Sequence, residues 1–229
     1  MKAIGRLCPL VLLVLLPLLV SQAPPSPSWE QAVAEKARGR LQEAATLFEQ
    51  IALQAPGRTI PLQRVVSAIP EHLDCLRRLG LIARADEFLE KVAERQRESA
   101  PVLAALARAY EQLPHYGYRV EGRFHRGPRR GGGEYLDVSA RDRRRALQLY
   151  ESARQQANRT ALDPAAMAQL LANYADALLA ERDRPTTSWS LQTLTDLDSL
   201  PDCGEASPSE QATSGAPVGP DGLPITYAI

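Results

Sequence analysis

The sequence contains few of the residues that build metal sites, disulfide frameworks and aromatic-rich β-sheets. Only three histidines and three cysteines occur in 229 residues, and aromatic residues make up 5% of the chain. The scarcity of cysteine and histidine argues against a dense metal or disulfide framework. Few aromatics beside abundant alanine and leucine favour helices over a β-sandwich or barrel. The 27 basic residues balance 27 acidic ones, so a chain-wide nucleic-acid surface is not indicated.

The first residues have the layout of a secretory signal peptide. A positive start at Lys2 and Arg6 is followed by an apolar run over residues 7–20 and then by small residues. The run is shorter than the roughly 20 residues that cross a bilayer as a helix, although an uncleaved anchor is the alternative. We expect a signal peptide over residues 1–23, a linker over 24–28, and an exported protein that is periplasmic, envelope-associated or secreted.

Between Trp29 and Leu200, apolar residues recur at spacings of three and four, which predicts a series of amphipathic helices. The helix after Asp163 is expected to be capped by that residue and to bury Met167, Leu170, Leu171, Tyr174, Ala177 and Leu178. A weaker last helix, Trp189–Leu200, would cover the open end of the stack. The predicted helices span residues 29–38, 41–54, 61–69, 71–79, 81–97, 101–113, 141–157, 164–182 and 189–200, and Pro70 separates the third from the fourth.

The positions Gly39, Ala44, Phe48 and Pro56 resemble the second half of a tetratricopeptide repeat. They supply a small turn residue, a small residue between helices, a large apolar residue and a terminating proline. The pattern recurs at irregular intervals, and the first helices lack most of the family's Trp, Leu-Gly and Tyr positions. The resemblance covers Trp29 to about Arg182 and implies an all-α stack of about three to four helix-turn-helix units that bind proteins. The positions that repeat this pattern are Gly80, Ala85, Leu89 and Ala93, then Ala146, Tyr150, Ala153 and Asn158.

A segment over residues 114–139 interrupts this pattern. Its apolar and charged residues alternate, and its glycines lie between two such stretches, which predicts a long loop or a short β-hairpin with Gly127–Gly133 at the tip. Nine arginines stand against four acidic residues between positions 114 and 145, giving a local net charge of +5. Removal of Lys2 and Arg6 with the signal peptide leaves a net charge of −2 for the remaining chain.

Three interpretations of this insertion compete. Arginine with tyrosine and phenylalanine suits an anionic polymer or single-stranded nucleic acid. The same residues are common in protein-binding hot spots, and export disfavours nucleic acid. Alternatively, the insertion is a solvated loop that covers a groove between helices, with its arginines paired to acidic helix faces. The candidate partner-binding residues are Tyr118, Arg119, Arg123, Phe124, Arg126, Arg129, Arg130 and Tyr135.

The insertion and the helix after it also resemble the N-terminal helical region of exported bacterial alpha-macroglobulin-like proteins of the planctomycete type. In that family the region precedes macroglobulin domains, and neither those domains nor a thioester or bait region occurs in this sequence. The resemblance therefore implies an N-terminal module without trapping activity. The residues that carry it are Gly122-Arg123-Phe124, Arg126-Gly127, Arg130-Gly131-Gly132-Gly133, Tyr135, Arg141-Asp142-Arg143, residues 145–149, Trp189, residues 191–192, residues 194–197 and residues 200–202.

From position 201 to 229 the composition is that of a linker or disordered tail, rich in proline, glycine and serine. In an oxidising compartment Cys75 and Cys203 could form a disulfide, but we expect them to remain unpaired thiols. His115 and His125 lack the neighbouring ligands of a metal site, and we expect no cofactor, no metal and no catalytic activity. The sequence predicts an exported module that binds an unknown protein or peptide, with an anionic-polymer binder as the alternative.

Overall fold

The computed structural model describes residues 28–57 and 60–179 of the chain. These residues are mostly helical, and a small antiparallel sheet interrupts the helices. The helices are α1 (Trp29–Ala37), α2 (Leu41–Leu53), α3 (Leu62–Arg78), α4 (Ala85–Arg95), α5 (Ala100–Glu111), α6 (Ser139–Thr160) and α7 (Pro164–Leu179), with a 3₁₀ turn at Ile82–Arg84. The strands are β1 (Tyr116–Val120), β2 (Arg123–Arg126) and β3 (Glu134–Asp137).

Successive helices pack side by side: α1 against α2, α2 against α3, α5 against α6 and α6 against α7. Helix α3 also contacts α5, so the helices share one apolar core. The rings of Trp29 and Phe48 meet edge to face at 5.5 Å between α1 and α2. The small and large apolar residues singled out in the sequence are all buried, and the small ones let helix backbones approach closely: Ala44, Phe48, Ala85, Leu89, Ala93, Ala146, Tyr150 and Ala153.

The expected helix ends are confirmed at two kinds of position. Gly39 and Gly80 end helical segments with φ angles of +79° and +71°, a backbone region in which glycine avoids the steric cost of a Cβ. Asp163 caps α7, because its carboxylate accepts hydrogen bonds from the backbone N–H groups of Ala165 and Ala166 at 3.1 and 3.2 Å.

The prediction of two helices separated at Pro70 is wrong, because α3 runs through this proline. Val65, Ile69 and Leu73 lie on one face of α3 and are all buried. A break at Pro70 would turn half of that face away from the core. Continuous burial therefore outweighs the lost backbone hydrogen bond, although an interior proline costs about 3 kcal/mol.

The insertion forms a three-stranded sheet rather than a hairpin with a glycine-rich tip. β1 lies in the centre and pairs antiparallel with both β2 and β3. The tight turn between β1 and β2 is Glu121-Gly122, with φ angles of +51° and +75°, the signs that a type I′ turn requires. Residues 127–133 instead connect β2 to β3, which lie on opposite sides of β1.

Two residues predicted to line the inner face of α7 are exposed: Leu171 retains 44% and Leu178 retains 39% of its accessible surface. Leu170 and Ala177 are buried as expected, which shows that the buried face is narrower than the spacing suggested. No helix in the described part of the chain is long and apolar enough to cross a membrane. The signal peptide, the Trp189–Leu200 helix, the tail over 201–229 and Cys203 lie outside the described residues, whereas Cys75 is buried as a free thiol.

Candidate interaction surface

The sheet is fixed to the helices by a buried arginine at the end of β2. The guanidinium of Arg126 donates to both carboxylate oxygens of Asp86 at 2.8 and 2.6 Å, and to both oxygens of Asp142 at 2.5 and 2.7 Å. A fifth hydrogen bond reaches the carbonyl of Pro114 at 2.8 Å. The side chains of Arg126 and Asp142 have no exposed surface, so all five guanidinium donors are satisfied inside the protein.

This cluster joins elements that are distant in sequence. Asp86 stands in the first turn of α4, Asp142 in the first turn of α6, and Arg126 on the sheet between them. Burial alone would lower the pKa of Arg126, but the two carboxylates raise it above the ordinary value, so the side chain stays charged. Buried charges are stable only when paired in this way, and the cluster therefore fixes the orientation of the sheet on α4 and α6.

His115 adds a titratable member to the cluster. Its Nδ1 atom lies 2.9 Å from Oδ2 of Asp142, and about a third of its side chain is exposed. The hydrogen bond to Asp142 raises the pKa of His115 above its ordinary value of 6.5, against an opposing effect of burial. Protonation of this imidazole therefore strengthens the attachment of the sheet.

Two glycines of the insertion stand where a side chain would clash, Gly117 within the sheet and Gly127 against the 3₁₀ turn. A Cβ on Gly117 would lie 2.3 Å from the carbonyl oxygen of His125 and 2.5 Å from the ring of Phe124, which packs across the bare backbone at this point. A Cβ on Gly127 would lie 2.5 Å from the Cγ2 atom of Ile82 in the 3₁₀ turn. Both close contacts lie on the helix-facing side of the insertion.

The opposite face of the sheet carries a cluster of tyrosines, here called the tyrosine face: Tyr116, Tyr118 and Tyr135. Tyr118 stands directly opposite Tyr135 across the β1–β3 pair, and their rings meet edge to face at 5.9 Å. The ring of Tyr116 stacks on Tyr135 at 6.1 Å. Tyr135 is 59% exposed, and no hydrogen bond among the described residues involves the three hydroxyl groups. The face therefore presents aromatic surface and free polar tips to solvent.

Positive charge lies at the ends of the strands around this face. Arg123, opposite Val120 across the hairpin, is exposed, as are Arg129 and Arg130 in the connection between β2 and β3. No ion pair within the described ranges engages these three side chains. By contrast, Arg119 pairs with Glu134 at 3.2 Å, and Arg145 pairs with Glu90 at 2.5 Å. Arg123, Arg129 and Arg130 are thus exposed arginines of the insertion without an ion pair among the described residues.

The candidate residues divide between four environments. Tyr118, Tyr135 and Arg123 share the tyrosine face, and Arg129 and Arg130 are exposed in the connection. Arg119 and Phe124 lie on the other face, because side chains alternate along a strand. Arg126 is wrongly placed among the partner-binding residues, since it is buried and bonded to two aspartates. For this arginine, and for Arg145, pairing with acidic helix faces is the correct interpretation.

Two residues of this surface were missed, Tyr116 and His125. Tyr116 stands two positions before Tyr118, and His125 lies opposite Tyr118 across the β1–β2 pair, so both share the tyrosine face. The alternation of side chains along residues 116–120 would have placed Tyr116 on the same face as Tyr118. His125 is placed on this face only by the pairing register, which follows from the Glu121-Gly122 turn.

A concave surface with a volume of about 640 Å³ lies between α4 and α6, apart from the tyrosine face. Its floor contains Leu103 and Leu149, and its walls carry charged and amide side chains of both helices. At one end Glu90 accepts a hydrogen bond from Tyr110 at 2.6 Å and pairs with Arg145. Burial raises the pKa of Glu90, but these hydrogen bonds outweigh it and lower the pKa overall. Among the described residues, no group of three or more His, Cys, Asp or Glu side chains is placed to hold a metal ion.

Comparison of the chain with protein-family models, with curated proteins and with solved structures finds no match.

Proposed function

We propose that the chain is a protein-interaction module in which the helices are a scaffold and the tyrosine face is the contact surface. The observation that carries this proposal is the position of Tyr135, which is 59% exposed and packed against Tyr116 and Tyr118. Exposed tyrosines beside arginines are the composition of protein-binding hot spots. The partner is a polypeptide segment with apolar side chains for the rings and carboxylates for Arg123, Arg129 and Arg130.

Rigidity of the surface supports this assignment. A binding surface that is already ordered loses little conformational entropy when a partner docks. The sheet meets this condition, because Arg126 is bonded to α4 and α6 and Gly127 packs directly on Ile82. A loosely attached loop with the same composition would become ordered only when the partner binds, and the entropy lost in that step would lower the affinity.

The experiment compares two variants, each of which replaces one exposed side chain with alanine. Tyr135→Ala removes the exposed ring, and Val33→Ala removes an apolar side chain of α1 that is 43% exposed. Partners are captured from extracts of the source cells on each immobilised protein, and the affinity of each purified candidate is then measured by calorimetry. We expect Tyr135→Ala to weaken binding by about 30-fold, the effect of a 2 kcal/mol hot spot. Equal binding by both variants would contradict the proposal.

The alternative is a binder of anionic polymer, such as envelope polysaccharide or nucleic acid, and the three unpaired arginines favour it. It is tested on a heparin-type resin with Arg123, Arg129 and Arg130 changed to Gln. The matched control changes the exposed Arg77, Arg78 and Arg159 to Gln. A polymer binder elutes at a salt concentration that falls only in the first variant, because counterion release depends on the contacting charges. If both variants elute at the same salt concentration as the wild type, the anionic-polymer alternative is contradicted.

We further propose that the module acts outside the cytoplasm and that it is the N-terminal part of a macroglobulin-like protein with tetratricopeptide-like helices. The signal-peptide layout and the two sequence resemblances support this setting. The test is the mass of the native product in fractionated source cells. A species much larger than 25.1 kDa supports a longer protein, and one near 25.1 kDa less the signal segment contradicts it. Recovery in the cytoplasmic fraction would contradict export.

A further inference from the structure

A pocket of about 180 Å³, here called the His72 pocket, lies between α2, α3, the 3₁₀ turn and α4, and no residue of the sheet lines it. The charged residues of its lining are exposed or half-buried and form the rim. The pocket is therefore apolar in depth and polar at its mouth, with one imidazole ring in the base. Four lining residues are buried and form that base: Ala45, His72, Leu76 and Phe88.

Two contacts hold the imidazole of His72 in one orientation. Its Nδ1 atom lies 2.9 Å from the backbone carbonyl oxygen of Ala45. Its ring packs on the ring of Phe88, with 4.0 Å between the centroids. A carbonyl oxygen can only accept a hydrogen bond, so Nδ1 carries the proton and donates to Ala45.

The other ring nitrogen of His72, Nε2, has no hydrogen-bond partner in the described part of the chain. Burial, with a smaller contribution from Arg84, lowers the pKa of His72 below its ordinary value of 6.5, against the opposing effects of the Ala45 carbonyl and of Glu49. The ring is therefore neutral at pH 7, and Nε2 presents a lone pair. Because His72 lines the pocket and Nε2 is not enclosed by protein, this lone pair is available to a molecule in the pocket.

The rim of the His72 pocket carries two cations and two anions, so it has no net charge that would select an ion. Lys91 pairs with Glu49 at 2.8 Å across the rim. Arg84 and Glu87 are exposed and stand three residues apart where the 3₁₀ turn leads into α4. A charged group at the apolar base would lose its hydration without gaining an ion pair there. The pocket is therefore suited to an uncharged molecule.

A metal ion is the other species that a lone pair of this kind can bind. Histidines that ligate metals also donate their second ring N–H to a backbone carbonyl or a carboxylate. Protein metal sites need further ligands, however, and even catalytic zinc takes about three from the protein. Among the residues that the structure describes, no group of three or more His, Cys, Asp or Glu side chains is placed to hold a metal ion. The single acceptor therefore favours a hydrogen-bond donor.

The size and chemistry of the base define the ligand class. A cavity of about 150 Å³ is large enough for benzene, so this pocket has room for a six-membered ring with one small substituent. A donor on that substituent satisfies the buried acceptor, and the ring gains contact with aromatic and aliphatic side chains. We propose that the His72 pocket binds a small uncharged aromatic compound whose hydroxyl group donates to Nε2 of His72 while its ring packs on Phe88 and Leu76. This site is separate from the tyrosine face and independent of the function proposed for it.

The test uses nitrogen NMR of the full chain with isotope-labelled histidine, and phenol is the probe at pH 7. The chain has only three histidines, so the Nε2 resonance of His72 can be assigned by substitution. Fluorobenzene is the matched probe, because it has nearly the same size and shape but no hydrogen-bond donor. We expect phenol to shift the Nε2 resonance of His72 saturably with a dissociation constant of about 1 mM, a value within reach of a ligand of this size. Fluorobenzene should bind about tenfold more weakly, because it makes no hydrogen bond.

His72→Asn is the matched variant, because its amide nitrogen can still donate to the carbonyl of Ala45 while the Nε2 acceptor is lost. His125→Asn makes the same change outside the pocket. The affinity for phenol, measured from the phenol resonances, should fall about tenfold in His72→Asn and stay unchanged in His125→Asn.

The proposal is overturned if phenol at ten times the expected dissociation constant leaves the Nε2 resonance of His72 unmoved. Equal binding of phenol and fluorobenzene would also overturn it, because the pocket would then recognise only apolar surface. Equal affinity of His72→Asn and the wild type for phenol would do the same. If His72→Asn fails to fold, the comparison of the two probes on the wild-type chain decides the question.

Discussion

The Cγ2 atom of Ile82 lies 2.5 Å from the point where a Cβ on residue 127 would stand, and Gly127 itself has a φ angle of +81°. Gly127→Ala therefore introduces both backbone strain and a steric clash with a buried side chain. We expect a loss of about 2–4 kcal/mol in the free energy of unfolding, measured by urea denaturation.

The matched control for this clash is Gly131→Ala. Gly131 has a φ angle of +110° and open space around its Cβ position, so the substitution introduces strain without a clash. We expect a loss of about 1–2 kcal/mol. Ile82→Ala combined with Gly127→Ala should lose less than the sum of the two single variants, because the methyl group that clashes is gone. Full additivity would show that Ile82 and Gly127 do not interact.

Removal of the charge at Arg126 should destabilise the whole chain. Arg126→Gln leaves Asp142, which has no exposed surface, without its main partner. We expect a loss of about 3–5 kcal/mol, the usual consequence of leaving one member of a buried pair unpaired. Arg119→Gln removes an exposed pair with Glu134 and should cost about 0–1 kcal/mol. Similar unfolding midpoints in urea for the two variants would contradict the role assigned to Arg126.

The contribution of His115 to stability should depend on pH. Its folded-state pKa lies above 6.5, so the unfolded chain binds fewer protons between the two values. The stabilisation from protonated His115 and Asp142 is therefore fully present below pH 6.5 and is lost as pH rises through the folded-state pKa. His115→Gln should lower the melting temperature relative to the wild type below pH 6.5, and the difference should shrink at higher pH. A constant difference across this range would contradict the prediction, and His125→Gln is the control.

Replacement of the proline inside α3 should stabilise the protein. Pro70 is exposed and removes a backbone donor from the middle of the helix. Pro70→Ala restores that hydrogen bond and should raise the free energy of unfolding by about 1–3 kcal/mol. Pro101 stands in the first turn of α5, where its missing N–H has no helical partner, so Pro101→Ala should give no gain. Thermal unfolding of both variants checks the contrast, and an equal change in both would refute it.

Helix positions could largely be predicted from the sequence, because the apolar spacing along α2, α5 and α6 has a single dominant period. Pro70 shows the limit of that approach. A proline favours a helix end, but the helix continues through Pro70 because Ile69 and Leu73 are buried on one face. The spacing of apolar residues in the sequence does not reveal how strongly this burial stabilises the helix. The leucines of α7 show a second limit. Spacing identified them as apolar but did not indicate which of two faces α6 would cover.

The candidate surface was predictable only in part, for a reason that Arg126 makes plain. From composition alone, every arginine of the insertion is an equally good candidate for partner binding. In the folded protein some of these arginines are paired with acidic residues and others are exposed. Asp86, which neutralises Arg126, is 40 residues earlier in the chain. No local pattern connects the two positions. Tyr118 and Tyr135 were predictable because alternation along neighbouring strands is a local property.

The same long sequence separation has a kinetic consequence. Helical hairpins form from neighbouring residues, whereas the contact between Arg126 and Asp86 closes a loop of 40 residues, and long loops are entropically expensive to close early in folding. We therefore expect the contact between Arg126 and Asp86 to form after the folding transition state. Substitutions at Arg126 should accelerate unfolding and leave the folding rate nearly unchanged. On this expectation, the guanidinium sets the half-life of the native state rather than the speed of folding.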